Sequence, residues 1–298
     1  MAGSSTAATP WNHDWEKWSI GHKIFQEEEL WQQILDSQDE NFKHDNLRFL
    51  RLDVSFGNMA FISCLPKKVK NISVYEDNNE SYAKRIVGVD RLLRVRNNLL
   101  GQAFAKASQK LKKLSVAFMV EAEDFFEECN DKRLFRWPHL EYLTLTSRLL
   151  AHNDHNAISE MLQKAANVAK RMRNLKTMAV WFGTEQKAYC FAYHQRSGKS
   201  CITWQGTELL ADDPELIQSW ANVAEIHGAI FHGFTQNGLS DIRWKLGSPC
   251  FADLTEELML AHGLKSHGDA AFLFRDLLPE DVIDPLSLWQ MQQEARVL

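Results

Sequence analysis

Two groups of acidic residues are the first candidates for chemistry. Glu121, Glu123 and Asp124 come directly after a strand-like phrase that opens at Leu111, and Glu76 with Asp77 follows another that opens at Val69. Side chains at the carboxyl edge of a parallel strand face the crevice where open α/β sheets take their ligands. A carboxyl group buried there has a raised pKa and suits general-acid work, so Glu121 and Asp124 are the candidate proton donors. Two such edges side by side would also suit a cation. His267 and Asp269, on either side of Gly268, form a second candidate acid–base pair. The glycine-x-serine-x-glycine elbow of a serine nucleophile is absent.

Metals and cofactors find little to hold them. The pairs His152/His155, His227/His232 and His262/His267 lack the two-histidine helix motif with its intervening glutamate. Five widely spaced cysteines (Cys64, Cys129, Cys190, Cys201, Cys250) form no zinc knuckle or redox pair and read as free thiols of a reducing compartment. Neither the dinucleotide glycine fingerprint nor the Walker pattern occurs, so no cofactor is expected. The net charge of -5, with scattered Lys and Arg, gives no nucleic-acid footprint. Met1 to Pro10 lacks the apolar core of a signal peptide, and no run is long enough to cross a bilayer. The expectation is a soluble, cytoplasmic protein with no membrane partner.

The elements that must position these residues come from a phrase used five times: an apolar residue, two of any kind, then two apolar residues one position apart. It opens at Leu47, Val69, Leu111, Leu140 and Leu175, at spacings of 22, 42, 29 and 35 residues. The last two apolar positions alternate as a strand does. One unit cannot bury its own apolar row, so five of them predict side-by-side stacking in a parallel sheet with helical connectors behind. Helices are expected over Asp14–Leu35, Asn98–Lys110, Ile158–Ala169 and Asp213–Ile226. Beyond Gly183 the pattern changes to a hairpin around Gln195-Arg196-Ser197-Gly198, with a further strand over His227–Phe234.

The predicted fold is therefore α/β: an irregular leucine-rich-repeat-like array with a parallel sheet, plus a C-terminal α+β portion packed on it. The expected organisation is a disordered tail and tryptophan-rich capping helix (1–45), the repeat region (46–183), and a C-terminal hairpin and helical portion (184–298) packed as one unit with the repeats. If the apolar positions point inward, their neighbours line a concave face. One column would be Arg51, Ser73, Ser115, Thr144 and Ala179; the next outward, Asp53, Tyr75, Ala117, Thr146 and Trp181; the one before, Phe49, Asn71, Lys113, Tyr142 and Thr177. Its centre is small and hydroxylated, with aromatics at the margins. The candidate ligand-binding residues are Tyr75, Ser115, Tyr142, Thr144, Thr146, Trp181 and Trp204.

Several segments in the same order carry a resemblance. They are Leu65–Val69 through Glu76–Glu80, Glu121–Phe126, Trp137–Ser147, Ile202–Thr207, Ser266–Ala270 and Asp284–Trp289. Over residues 45–298 the chain resembles a filamentous-fungal domain of unknown function that often follows an F-box in proteins like leucine-rich substrate adaptors. The stretch before residue 45 is too short for the three-helix F-box itself. The resemblance implies a recognition module binding a protein or a small apolar ligand on its concave face, and supplies no catalytic residues. The alternative expectation is a cofactor-independent cyclase or isomerase of fungal secondary metabolism, for instance a pericyclic one of Diels–Alder type, acting in an apolar pocket by orienting its substrate.

Overall fold

The computed structural model describes residues 46–52, 62, 69–76, 98–132, 134–152, 154–183 and 188–238. Eight strands form one sheet: β1 (Asn46–Leu52), β2 (Asn71–Glu76), β3 (Lys113–Glu121), β4 (Tyr142–Thr146), β5 (Thr177–Gly183), β6 (Ala188–Arg196), β7 (Lys199–Gly206) and β8 (Ile230–Gly238). Their order across the sheet is their order in the chain. Neighbours from β1 to β5 are parallel, β6 is antiparallel to both of its neighbours, and β7 and β8 are again parallel. The result is a mixed α/β fold with a largely parallel sheet.

The repeated phrase is also the register of the sheet. Ile72, Leu114, Leu143 and Met178 stand opposite one another in one row, and Val74, Val116, Leu145 and Val180 in the next. The phrase's second residue does a further job just before each strand. The Lys70 carbonyl accepts from Lys112 N (2.6 Å) and Lys113 N (3.1 Å), the Lys112 carbonyl from Glu141 N (2.8 Å) and Tyr142 N (3.2 Å), and the Glu141 carbonyl from Lys176 N (2.8 Å) and Thr177 N (3.1 Å). At Glu141 the ladder's side chains add an ion pair on either side. Glu141 meets Lys112 at 3.3 Å and Lys176 at 2.6 Å. Burial opposes its ionisation, but the two lysines outweigh that and hold its carboxyl below the ordinary range. Only the first phrase departs from the expected register. An irregularity between Leu47 and Leu50 sets Leu50 opposite Val74 and Arg51 opposite Tyr75. Arg51 thus joins the Tyr75 row rather than that of Ser73.

Four helices form a layer on one side of this sheet: α1 (Asn98–Ser108), α2 (Ala122–Asp131), α3 (His155–Ala169) and α4 (Pro214–Ile226). Each packs on the next in chain order. Trp220 of α4 stacks on Tyr193 at 5.0 Å and meets Phe191 at 5.2 Å, which places the layer on the face lined by Val116, Leu145, Val180 and Phe191. The sequence starts these helices locally. Asp154 caps α3 by accepting from Ala157 N, and Asp213 caps α4 by accepting from Glu215 N and Leu216 N, with Pro214 in the first turn. Asp213 also accepts from Ser159 and Gln163 of α3, tying the two helices together. At the other end of the layer Arg171 donates to the Cys129 and Lys132 carbonyls that end α2, and lies 5.2 Å over the Trp137 ring.

The C-terminal strands differ from expectation in one respect. Residues 188–238 do not lie on the repeat sheet as a separate layer; they extend it edge to edge. The hairpin turn explains how. Ser197 (φ 52°) and Gly198 (φ 73°) are both left-handed, the two-residue geometry that keeps β6 and β7 coiled with the rest of the sheet. β6 is buried on both faces for most of its length, so it could not serve as a half-exposed outer layer. The expected helix over Asp14–Leu35 lies outside the described residues.

Gly101 marks the tightest contact in the helix layer. A Cβ there would meet Asp124 Cβ at 2.8 Å and the α2 backbone at 3.2 and 3.3 Å. Gly101→Ala gains about 1 kcal/mol of helix propensity, but must push α1 from α2. A net loss of about 1–2 kcal/mol in urea denaturation is the expected outcome.

Candidate functional site

The face opposite the helices carries the residues that sequence periodicity brings together. One row across it reads Ser73, Ser115, Thr144, Ala179, Ala192 and Thr203; the next includes Thr146, Trp181, Cys190 and Gln205. Ser115 (0% exposed), Thr144 (1%), Thr146 (2%) and Trp181 (0%) are all buried. Ala179, Ala192 and Cys190 beside them make a flat, small-residue wall. Tyr142 and Thr177 form the row before, with His194 and Cys201 continuing it.

His194 Nε2, in the row before, is buried without a hydrogen-bond partner, and so are three further polar atoms of this face: Ser115 Oγ, Thr144 Oγ1 and Trp181 Nε1. They are neighbours. Ser115 stands opposite Thr144, Thr144 opposite Ala179, and Trp181 two residues along from Ala179. A buried polar group left unpaired costs about 1–3 kcal/mol, so three in one patch are a substantial burden on a marginally stable fold. Two hydroxyls can donate or accept, while the indole only donates. Together they match an apolar surface bearing one or more acceptor oxygens.

Beside this patch β3 breaks its pairing. Val116 lies opposite Leu145, but the next pair is Glu121 with Thr146, so four residues, Ala117–Val120, are inserted. Phe118 takes φ 64°, a conformation that a bulky L residue adopts only under constraint. Its amide donates to Thr146 Oγ1 at 2.7 Å, and its ring meets Trp181 edge-on at 5.1 Å and Phe182 at 5.9 Å. Such bulges re-aim side chains at sheet rims and next to sites. Sequence reasoning missed it. The unbroken apolar run Val116–Val120, where alternation should have resumed, was the available signal.

The remaining predicted residues stand elsewhere. Trp204 lies opposite Phe191 and therefore on the helix face, its Nε1 donating to the Glu208 carbonyl at 2.9 Å and its ring 5.7 Å from Tyr189. The sheet separates it from Trp181. Glu121 clamps Arg148 instead of facing a crevice, accepting from its backbone N at 2.9 Å and from its Nε at 2.6 Å. This holds the short 3-10 turn Arg148–Ala151 against the end of β3. Asp124 is buried between α1 and α2. With its nitrogen turned toward α2, the Asn98 amide donates to both Asp124 oxygens at 3.3 Å. Tyr75 stands opposite Arg51 and Ala117 in the sheet. His267 and Asp269 lie outside the described residues.

One polar cluster on the helix face escaped the sequence reading. Tyr193 OH lies 3.2 Å from His227 Nδ1 and 3.3 Å from Gln195 Oε1, while His227 Nε2 lies 3.0 Å from the Ala169 carbonyl. Burial pushes the Tyr193 phenol up to about 12 and pulls the His227 imidazole below its ordinary value. His194, on the opposite face with Nδ1 3.4 Å from Thr177 Oγ1, is likewise lowered by burial. Among the described residues no group of three or more His, Cys, Asp or Glu side chains could hold a metal ion, and no helix is long and apolar enough to cross a membrane.

These features define an α/β protein built on one sheet, with helices on one face and a buried, partly unsatisfied polar patch on the other. The chain matches a family of unknown function, DUF6546, over residues 64–273, and belongs to that family. No curated protein and no solved structure matches it.

Two outcomes test this geometry. Thr146→Val removes the acceptor of the Phe118 amide and should destabilise the protein by about 1–3 kcal/mol in chemical denaturation. The two histidines set a pH dependence. Their folded pKa values lie below the ordinary 6.5, so as pH falls through that value the unfolded chain takes up protons that the folded chain refuses. Stability should therefore drop from pH 7 toward 5, and the drop should shrink in a His194→Gln/His227→Gln variant followed by urea midpoints.

Proposed function

We propose that this protein is a recognition module of leucine-rich-like architecture that takes a small, mostly apolar ligand against the sheet face opposite its helices. The observation that carries the reading is the trio Ser115 Oγ, Thr144 Oγ1 and Trp181 Nε1, buried side by side with no partner. Folds tolerate such a burden where a ligand removes it. The ligand that fits is flat, to lie on Ala179, Ala192 and the Trp181 ring. It carries an acceptor oxygen, such as a ring carbonyl, for the hydroxyls and the indole N–H. The repeat architecture is supported by strands laid down in chain order, by the ladder of doubly accepting carbonyls, and by the layer of α1 to α4 on one face. The resemblance to F-box-associated adaptors agrees with recognition. A cyclase would call on Glu121 and Asp124, whose contacts with Arg148 and Asn98 give both a structural role.

Thr144→Val separates the two roles of the patch. Replacing an unpaired buried hydroxyl by an isosteric methyl should leave the free protein unchanged or up to about 1 kcal/mol more stable. A panel of planar polycyclic ketones screened by thermal shift should contain compounds that raise the melting temperature. The same compounds should bind Thr144→Val roughly tenfold more weakly, the loss of one hydrogen bond. A panel without a single stabilising member, or equal binding by the variant, would refute the reading.

A further inference from the structure

Lysines and arginines that lie scattered along the sequence are gathered by the topology. The carbonyls of Lys70, Lys112, Glu141 and Lys176 accept in turn from amides of the next unit, the last from Gln195 N at 2.7 Å. This line marks one rim of the sheet and runs on into the hairpin, where Arg196 stands opposite Lys199. The helices end along the same rim. Gln109, just past α1, accepts from Arg136 N, and Arg171, just past α3, donates to the carbonyls that end α2. Among the lysines and arginines whose side chains are described, only Arg148 and Lys164 stand elsewhere. Lys70, Lys132, Arg173, Arg196 and Lys199 are all exposed on the rim. Its acids are fewer, namely Glu128, Asp131, Glu141 and Glu225, while Asp154, Glu208, Asp212, Asp213 and Glu215 gather where α3 and α4 begin.

Helix ends account for part of this gathering, because each carries about half a negative charge. They do not account for Lys70, Arg196 and Lys199, which belong to strand starts and a turn. Nor do they account for the apolar side chains beside them. Leu134 (88% exposed), Ile226 (48%) and Ile230 (68%) stand on this rim, after α2, at the end of α4 and at the start of β8. Leu134 lies between Lys132 and Arg136, in a turn closed by Phe135 N on the Lys132 carbonyl at 2.9 Å. Ile230 N donates to the Gly198 carbonyl at 2.8 Å, next to Lys199.

We propose that this rim docks on an anionic lipid bilayer. The cations meet the headgroups, each worth about fivefold in affinity, and the three aliphatic side chains enter the interface. A single-stranded nucleic acid would call for exposed aromatic rings to stack on; the large apolar side chains exposed here are aliphatic. The expectation of no membrane partner rested on the lack of a spanning run, which a surface contact does not need. The rim is separate from the Ser115–Thr144–Trp181 patch, and lipid docking stands whether or not a ligand binds there.

Flotation of the full chain with vesicles tests this, using phosphatidylcholine alone or phosphatidylcholine mixed equally with phosphatidylserine. The expected result is co-flotation with the phosphatidylserine vesicles only, weakening as salt is raised. Lys132→Gln/Arg173→Gln/Lys199→Gln should bind these vesicles about a hundredfold more weakly. Leu134→Ser should lose about tenfold, the burial of one leucine. All four side chains are exposed, so both variants should keep the native urea midpoint. No flotation, equal flotation with both kinds of vesicle, or native binding by either variant overturns the proposal. So does tighter binding to a DNA oligonucleotide that Leu134→Ser leaves unchanged, which would assign the rim to a soluble polyanion.

Discussion

The structure hangs on a repeated backbone contact. In three of the five phrases the carbonyl of the second residue accepts two amides from the next unit, at Lys70, Lys112 and Glu141 in turn. A strand can slip along its neighbour only in steps that keep its apolar face inward. The double acceptance at the starts of β3, β4 and β5 removes even those steps. With the ladder in place, the apolar rows Ile72–Leu114–Leu143–Met178 and Val74–Val116–Leu145–Val180 follow as a geometric consequence. The alternating charges of Lys112, Glu141 and Lys176 reinforce the same register from outside the sheet. Two of the three are exposed lysines, so the backbone contacts carry most of the constraint.

Register then gives the two faces different work. On one, large side chains meet the helices: Phe191 and Tyr193 on Trp220, Trp204 on Tyr189. On the other, small and hydroxylated side chains form a flat surface whose polar atoms are left over. The helix side carries its own polar ties, from the Trp137–Ser108–Ala105 chain to the Asp213 cap that binds α3 to α4, and its own unpartnered atoms in Tyr189 OH, Ser200 Oγ and Trp220 Nε1. What sets Ser115 Oγ, Thr144 Oγ1 and Trp181 Nε1 apart is that they stand in adjacent positions of one face. The left-handed Phe118 stands next to them, and strain of this kind collects where a fold serves something other than its own stability.

The two histidines that burial keeps neutral lie on opposite faces, His194 beside Thr177 and His227 under Tyr193. Both sit near the join where the parallel repeats give way to the hairpin. The one reversed strand, β6, is therefore also the place where acid acts on the sheet from both sides.

Much of this was legible in the chain alone. Five phrases with strand alternation and the hairpin at Ser197-Gly198 are local signals, because alternation and left-handed turns depend on residues within a few positions of one another. The row Ser73–Ser115–Thr144–Ala179 was legible too, since identical phrases stack in register. Trp204 was not, because which face a residue of β7 takes depends on how that strand pairs with β6. Nor were the bulge at Ala117–Val120 or the partners of Glu121 and Asp124. Those depend on Thr146, Arg148 and Asn98, brought alongside only when separate segments fold together. Local backbone preference settled the elements and their order; packing between distant segments decided which side chains met and which polar atoms were left without a partner.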